Sequence, residues 1–291
     1  MRKCAAVFVF LAGVLWGTMG IFVRRYNGCG LDSWDIVFIR AAVTSLCMSA
    51  FLLFYNRSLF RIRLRDVWCF LGTGILSIVF FNYCYFKTIS LTSMSVAAVL
   101  LYTAPAMVML ISRIIFGERL TRLRVCSLVL TFVGCVLVTG VYGDSAALNA
   151  GGIVTGLGAG LGYALYSVFS RFALEKGYHA FTISFYTFLI AAAGTLPMAD
   201  ISKTAVVCLD NASMIVFSVI FGMVSTVLPY VLYTVGMRSI ENGNASIIAS
   251  VEPVVATMLG VVLYGESITP SGLAGVVLIL CAIVLCYIHR K

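Results

Sequence analysis

A carboxyl in the middle of an apolar run can bind a cation or carry a proton, and Glu252 holds such a position within Ala245–Tyr264. At the centre of a bilayer a charged side chain costs about 2.5–3.5 kcal/mol on insertion scales. Glu252 is tolerable there if it faces a wet cavity or is neutralised. Two readings stand: a group that couples transport to protons or recognises a cation, or a protonated acid bonded to a neighbouring helix. Aromatic side chains with polar tips recur in the same kind of run, and Trp16, Tyr102, Tyr163 and Tyr230, with the amide Asn82, form the expected binding set around Glu252. Such groups stack on and hydrogen-bond a small organic molecule, or pack in a core. Arg40 is also inside an apolar run. It either contacts Asp35, at a spacing poorly suited to a helix, or attracts anions.

Three prolines interrupt the apolar runs: Pro105, Pro229 and Pro253. A proline removes an amide donor and frees carbonyls, which makes these positions candidate hinges or cavity walls rather than plain kinks. Pro105 and Pro253 are 148 residues apart, and the same offset relates Gly117-Glu118 to Gly265-Glu266 and Thr121 to Thr269. Near the start of each half the offset is 147, pairing Gly13 with Gly160 and Trp16 with Tyr163. Glu118 and Glu266 each fall where a run ends, and a negative charge at a helix C-terminus needs a partner. Gly156, Gly158, Gly160 and Gly162 form a small-residue stripe suited to close helix packing; no Lys-Ser/Thr follows to make it a phosphate loop.

These residues need a scaffold, and composition says which. The chain of 291 residues is 62% hydrophobic and 11% charged, with mean hydropathy +1.06; soluble domains carry about 25% charged residues. Ten runs are long enough to span a bilayer: Cys4–Val23, Ile36–Tyr55, Val67–Phe86, Ser95–Phe116, Val125–Val141, Gly152–Phe172, Phe181–Met198, Ser213–Val235, Ala245–Tyr264 and Gly272–Tyr287. The first follows Arg2-Lys3 without a cleavage site and is read as a retained span. The predicted fold is an all-α membrane protein with ten transmembrane helices in two inverted five-helix repeats, residues 1–143 and 151–291.

Inversion follows from an odd number of spans per half, and the charges agree. With the N-terminus in the cytoplasm, 15 Lys and Arg fall on the inner side and four (Arg24, Arg25, Lys87, Lys203) on the outer side, with Arg40 inside a span. That bias sets both termini inside. The matched turns differ in the sense inversion requires: Gly117–Arg124 carries three Arg, Gly265–Gly272 none. Inverted repeats around a midplane site are the plan of secondary transporters.

Trp16-Gly17, Tyr102-Thr103-Ala104-Pro105 followed by Gly117-Glu118-Arg119-Leu120-Thr121, and Glu252-Pro253-Val254 followed by Gly265-Glu266 resemble the EamA family of the drug/metabolite transporter superfamily over essentially the whole chain. The resemblance implies secondary transport, often export, of amino acids or related small metabolites in the cell (inner) membrane. Proton coupling and passive facilitation both remain open. The expected partners are a small-molecule metabolite, membrane lipid and protons. A nucleic-acid partner is not expected, because the basic residues are scattered between spans. No cofactor or metal is expected: the ten cysteines make no CxxC pair and most lie in apolar runs. An enzyme is disfavoured too. His179 and His289 are the two histidines, and no HExxH or GxSxG occurs. A channel or lipid-translocating protein is the rival class.

Overall fold

The computed structural model describes residues 2–141, 150–209 and 212–288. Most of the expected polar linker, Gly143–Ala150, and the basic tail after Ile288 lie outside the described residues. Within them every regular element is helical. Nine helices are apolar and long enough to cross a membrane: α1 (Cys4–Gly28), α2 (Ser33–Tyr55), α3 (Leu64–Leu91), α4 (Met94–Ile115), α5 (Arg122–Thr139), α6 (Ala150–Glu175), α7 (Ala180–Met198), α8 (Ala212–Met237) and α9 (Asn242–Tyr264). The expected tenth run forms helix α10, Pro270–Ile288. Its apolar stretch, Pro270–Cys286, is shorter than the other nine.

Several of these helices are not continuous. A turn at Thr18 splits α1, with the Thr18 hydroxyl donating to the Leu15 carbonyl (2.7 Å). In α4 the break falls at Tyr102-Thr103 and in α9 at Ser250-Val251, positions related by the repeat. Pro105 and Pro253 each sit in the first turn of the segment that follows, where a missing amide hydrogen leaves no bond unmade. Pro229 does the same for Leu228–Met237, directly after a π-helical stretch, Met223–Val227. A second π stretch, Gly72–Val79, occupies the related part of α3 with no proline beside it. The prolines are therefore starts of half-helices rather than kinks within helices.

Packing crosses between the halves reciprocally. The first helix of one half, α1, packs on α8 and α9; the first helix of the other, α6, packs on α3 and α4. The pairs α2–α7 and α5–α10 join equivalent helices. Glycines make the crossings close. A Cβ on Gly13 would lie 2.6 Å from the Ala249 carbonyl oxygen, and one on Gly160 would lie 2.6 Å from the Thr103 hydroxyl. Both contacts fall at the broken helices. Ala249 is the last residue of the half-helix before the α9 break, and its carbonyl is the one Gly13 makes room for. The glycine stripe of α6 is in close contact with α3 and α4 along its length, at Leu100, Thr103 and Phe81.

The repeated Gly-Glu is a helix stop. Gly117 and Gly265 adopt φ +67° and +66°, the left-handed conformation that glycine reaches without strain. The amides of Glu118 and Glu266 then turn back to the carbonyls of Ser112 and Gly260, both at 3.2 Å.

Candidate functional site

Where α4 and α9 break, α1 also turns, and the space between them and α2, α3, α6 and α8 is a cavity of about 230 Å³. Glu252 is the first residue of the half-helix Glu252–Tyr264. Its carboxyl thus sits at the positive end of a helix dipole, which favours negative charge. The sequence places this acid in the middle of an apolar run; the break turns that middle into an N-terminus. The Tyr163 hydroxyl, from α6, donates to Glu252 Oε2 at 3.2 Å.

Trp16 is at the hub of the aromatic wall. Its ring meets Tyr163 at 6.4 Å, Tyr230 at 5.1 Å and Tyr233 at 5.3 Å between centroids, edge-on or tilted. Tyr230 is held in turn by Phe188 and Tyr166. Edge-to-face pairs of this kind contribute about 0.5–1.5 kcal/mol each beyond burial, which makes this wall stiff. Behind it, Tyr166 bonds Thr234 (2.9 Å) and Tyr233 bonds Ser167 (2.8 Å). The Trp16 indole nitrogen is buried and has no hydrogen-bond partner.

Of the residues expected to form the site, Trp16, Asn82, Tyr163, Tyr230 and Glu252 line this one cavity. Asn82 is buried, and its amide nitrogen donates to the Ile78 carbonyl at 2.7 Å. Tyr102 is not on the cavity wall. It lines a small neighbouring pocket with Pro105, Tyr163 and Glu252, beneath the α4 break. Pro229 and Pro253 touch neither pocket and act through the segments they start. The binding set expected from sequence did not include Phe81 or Tyr85, and Arg40 was read apart from it; all three are on the wall. Arg40 does not pair with Asp35. That carboxyl instead accepts the Asp32 amide at 3.1 Å, as part of a capping box, and the Asp200 amide at 2.9 Å. A lone arginine in an apolar run with no acid at helical spacing was the available signal.

The cavity extends to the end of the bundle that holds Asn27, Ser33 and Met94, all exposed. The opposite end is tied across the halves. Glu118, at the end of α4, accepts the first two amides of α9, from Asn242 (2.7 Å) and Gly243 (3.2 Å). Arg124 pairs with Glu241, and Lys176 and Tyr178 hold Asp66 at 2.7 and 2.9 Å. Burial lifts the Glu118 carboxyl above the ordinary carboxylate range, while the two amides pull it down. The related residue, Glu266, makes no such cap. It pairs with Arg24, whose guanidinium lies 4.1 Å above the Tyr264 ring, and the α4 N-terminus is capped by the Ser93 hydroxyl.

The sequence profile of the EamA-like transporter family matches residues 3–140 and again 150–288. The chain belongs to the EamA-like transporter family. Among similar proteins is a transporter of Archaeoglobus fulgidus, 29% identical over 99% of this chain and 97% of that one. The transporter YxxF of Bacillus subtilis is 27% identical over 100% and 91%. The inner membrane transporter YicL of Salmonella typhimurium is 22% identical over 95% and 93%. All three names carry the qualifier uncharacterized. A solved crystal structure shares the fold with TM-score 0.81 and 18% identity, covering 99% of this chain and 98% of its own. With nine membrane-length apolar helices among the described residues, this family member is a multi-pass membrane protein. A transporter family is not an enzyme class.

Proposed function

We propose that this EamA-like chain is a secondary transporter of amino acids or related small metabolites, working by alternating access and running outward across the cell (inner) membrane. Residues 1–143 and 151–291 are its two inverted five-helix halves, with ten crossings and both termini in the cytoplasm, as the Lys and Arg bias demands. The cavity between the halves is the substrate site. The observation that carries this reading is the convergence of Glu252, Trp16, Tyr163, Tyr230 and Asn82 on one cavity at the paired helix breaks. A wall of aromatic groups with a few polar ones is what a small-solute site needs, and half-helix ends at the midplane are where transporters bind.

On the same topology the end with Met94 is outer and the end with Glu118 is inner, so the conformation here is open outward. Repeat symmetry supplies the other state: Glu266 leaves Arg24 to cap the N-terminus of α4, while Glu118 releases Asn242 and Gly243. Glu252 is the coupling group, exchanging a proton or a cationic substrate group.

Reconstitution tests this. Purified protein in proteoliposomes should show saturable, competable counterflow of a small metabolite, accelerated by a pH gradient, and Glu252→Gln should lose the gradient effect. A non-saturating conductance would place the protein with channels instead, and lipid scrambling without solute flux would make it a lipid translocator.

A further inference from the structure

The cavity holds a second buried charge that neither the helix packing nor the coupling role of Glu252 uses. Arg40, on α2, is 5% exposed and lines the cavity. Its Nη1 donates to the Met19 sulfur at 3.4 Å, a weak acceptor, and its Nε and Nη2 have no partner at all. A guanidinium in such a setting is costly unless an acid or an ordered acceptor meets it. Glu252 lines the same cavity from α9, yet the two side chains form no ion pair within 4 Å. Asp35 is engaged by backbone amides instead. The cavity therefore presents a fork of unused N–H donors on one wall, a carboxyl on another, and aromatic rings between them.

We propose that Arg40 is the anchor for the substrate's carboxylate, the residue that makes the cavity select acids over their neutral analogues, with Glu252 left to meet an ammonium and Trp16 and Tyr230 to meet the remainder of the solute. This rests on the cavity being the substrate site and assigns one residue of it to the substrate's acid group. Guanidinium pairs with carboxylate through two parallel hydrogen bonds, and the two atoms left without partners are donors of the kind that geometry uses. The gap between the charges is the reason a bound zwitterion stabilises both at once: each pole of the ligand replaces the partner that the protein withholds. The cavity has the volume of about eight waters, which suits a solute of amino-acid size.

The test uses purified full-length protein in proteoliposomes. Counterflow and thermal stabilisation are measured with the twenty common L-amino acids, each beside its primary amide and its decarboxylated amine. The wild type should prefer at least one acid over its amide and amine by about ten- to hundredfold, the scale of losing charge-assisted bonds to a buried group. Arg40→Gln should abolish that preference by costing the acid far more affinity than the amide, and Arg40→Lys should keep part of it. Without ligand, Arg40→Gln should melt at the same temperature as the wild type or higher, because it removes an unmatched buried charge. A lower melting temperature with the acid preference intact would make Arg40 structural and overturn the proposal. So would equal handling of acid and amide by the wild type, provided that counterflow still saturates and still depends on Glu252; the transport reading would then survive. No saturable counterflow of any solute in the panel overturns both.

Discussion

The two Gly-Glu turns of this protein have the same backbone and opposite employment. Gly117 and Gly265 close their helices with nearly identical φ, and the following amides reach back to equivalent carbonyls. Both glutamates then reach across to the other half, but Glu118 caps α9 from a half-buried position while Glu266 makes an exposed pair with Arg24. The lesson is that the repeat preserves the stop signal, while the carboxylate after it is free to report which end of the bundle is tied. A second difference lies at the breaks. Glu252 opens the second half-helix of α9, whereas its counterpart in α4 is Ala104. The scaffold is near-symmetric, and the charge that faces the cavity from the broken helices belongs to one half.

That comparison can be broken most sharply at the breaks themselves. Glu252→Gln should abolish proton-driven accumulation in proteoliposomes, while Ala104→Ser at the related site leaves the initial rate near wild type. Equal losses in both variants would mean that the breaks, and not the carboxyl, carry the coupling. At the turns, Glu118→Ala leaves two α9 amides without a cap and should destabilise the tied end by about 1.5–3 kcal/mol. A cysteine placed at buried Ser246 should then react faster with a thiol reagent. Glu266→Ala removes an exposed pair, worth about 0.2–1 kcal/mol, and should leave that labelling rate unchanged.

The glycines offer a third comparison. Gly13→Ala drives a methyl into a backbone carbonyl and should lower stability by about 1–3 kcal/mol. Gly160→Ala meets the Thr103 hydroxyl first and the Leu100 carbonyl oxygen only at 3.1 Å, so its backbone clash is milder and its shift in melting temperature should be smaller. The mildest effect concerns pH. With the Glu118 value raised in the folded protein, the folded state holds the proton more tightly than the unfolded chain. The stability linked to this carboxyl is therefore full below the ordinary carboxylate range and declines as pH rises through the raised value. Glu118→Gln should flatten that slope in melts recorded across this window.

Much of this was legible in the sequence, for identifiable reasons. Long apolar runs announce helices, and matched Pro and Gly-Glu spacing announces the repeat, because those residue types dictate backbone geometry locally. Glu252 was conspicuous because a carboxyl in an apolar run has few explanations. The position of each break was less visible: the turn comes before the proline, at Tyr102-Thr103 and Ser250-Val251, whose types carry no such signal. The π stretch at Gly72–Val79 has no proline to mark it. Tyr102 and Tyr163 read alike in sequence, yet Tyr163 lines both the cavity and the pocket beneath the break while Tyr102, at the break itself, lines only the pocket. Of the two readings of Arg40, the Asp35 contact fails because the Asp35 carboxyl is taken by the Asp32 amide and by the backbone amide of Asp200, which is distant in sequence.

The crossed packing of α1 on α8 and α9 has a consequence for how the molecule is made. Helix α1 leaves the ribosome well before α8 and α9, its principal neighbours. During synthesis its glycine face, shaped for Ala249 and Val255, has only lipid or transient neighbours to lie against. The two halves are thus clasped like interlocked hands, and neither grip is complete until the last has been inserted. A ribosome stalled after the first half would leave α1 in the bilayer before its best partners exist.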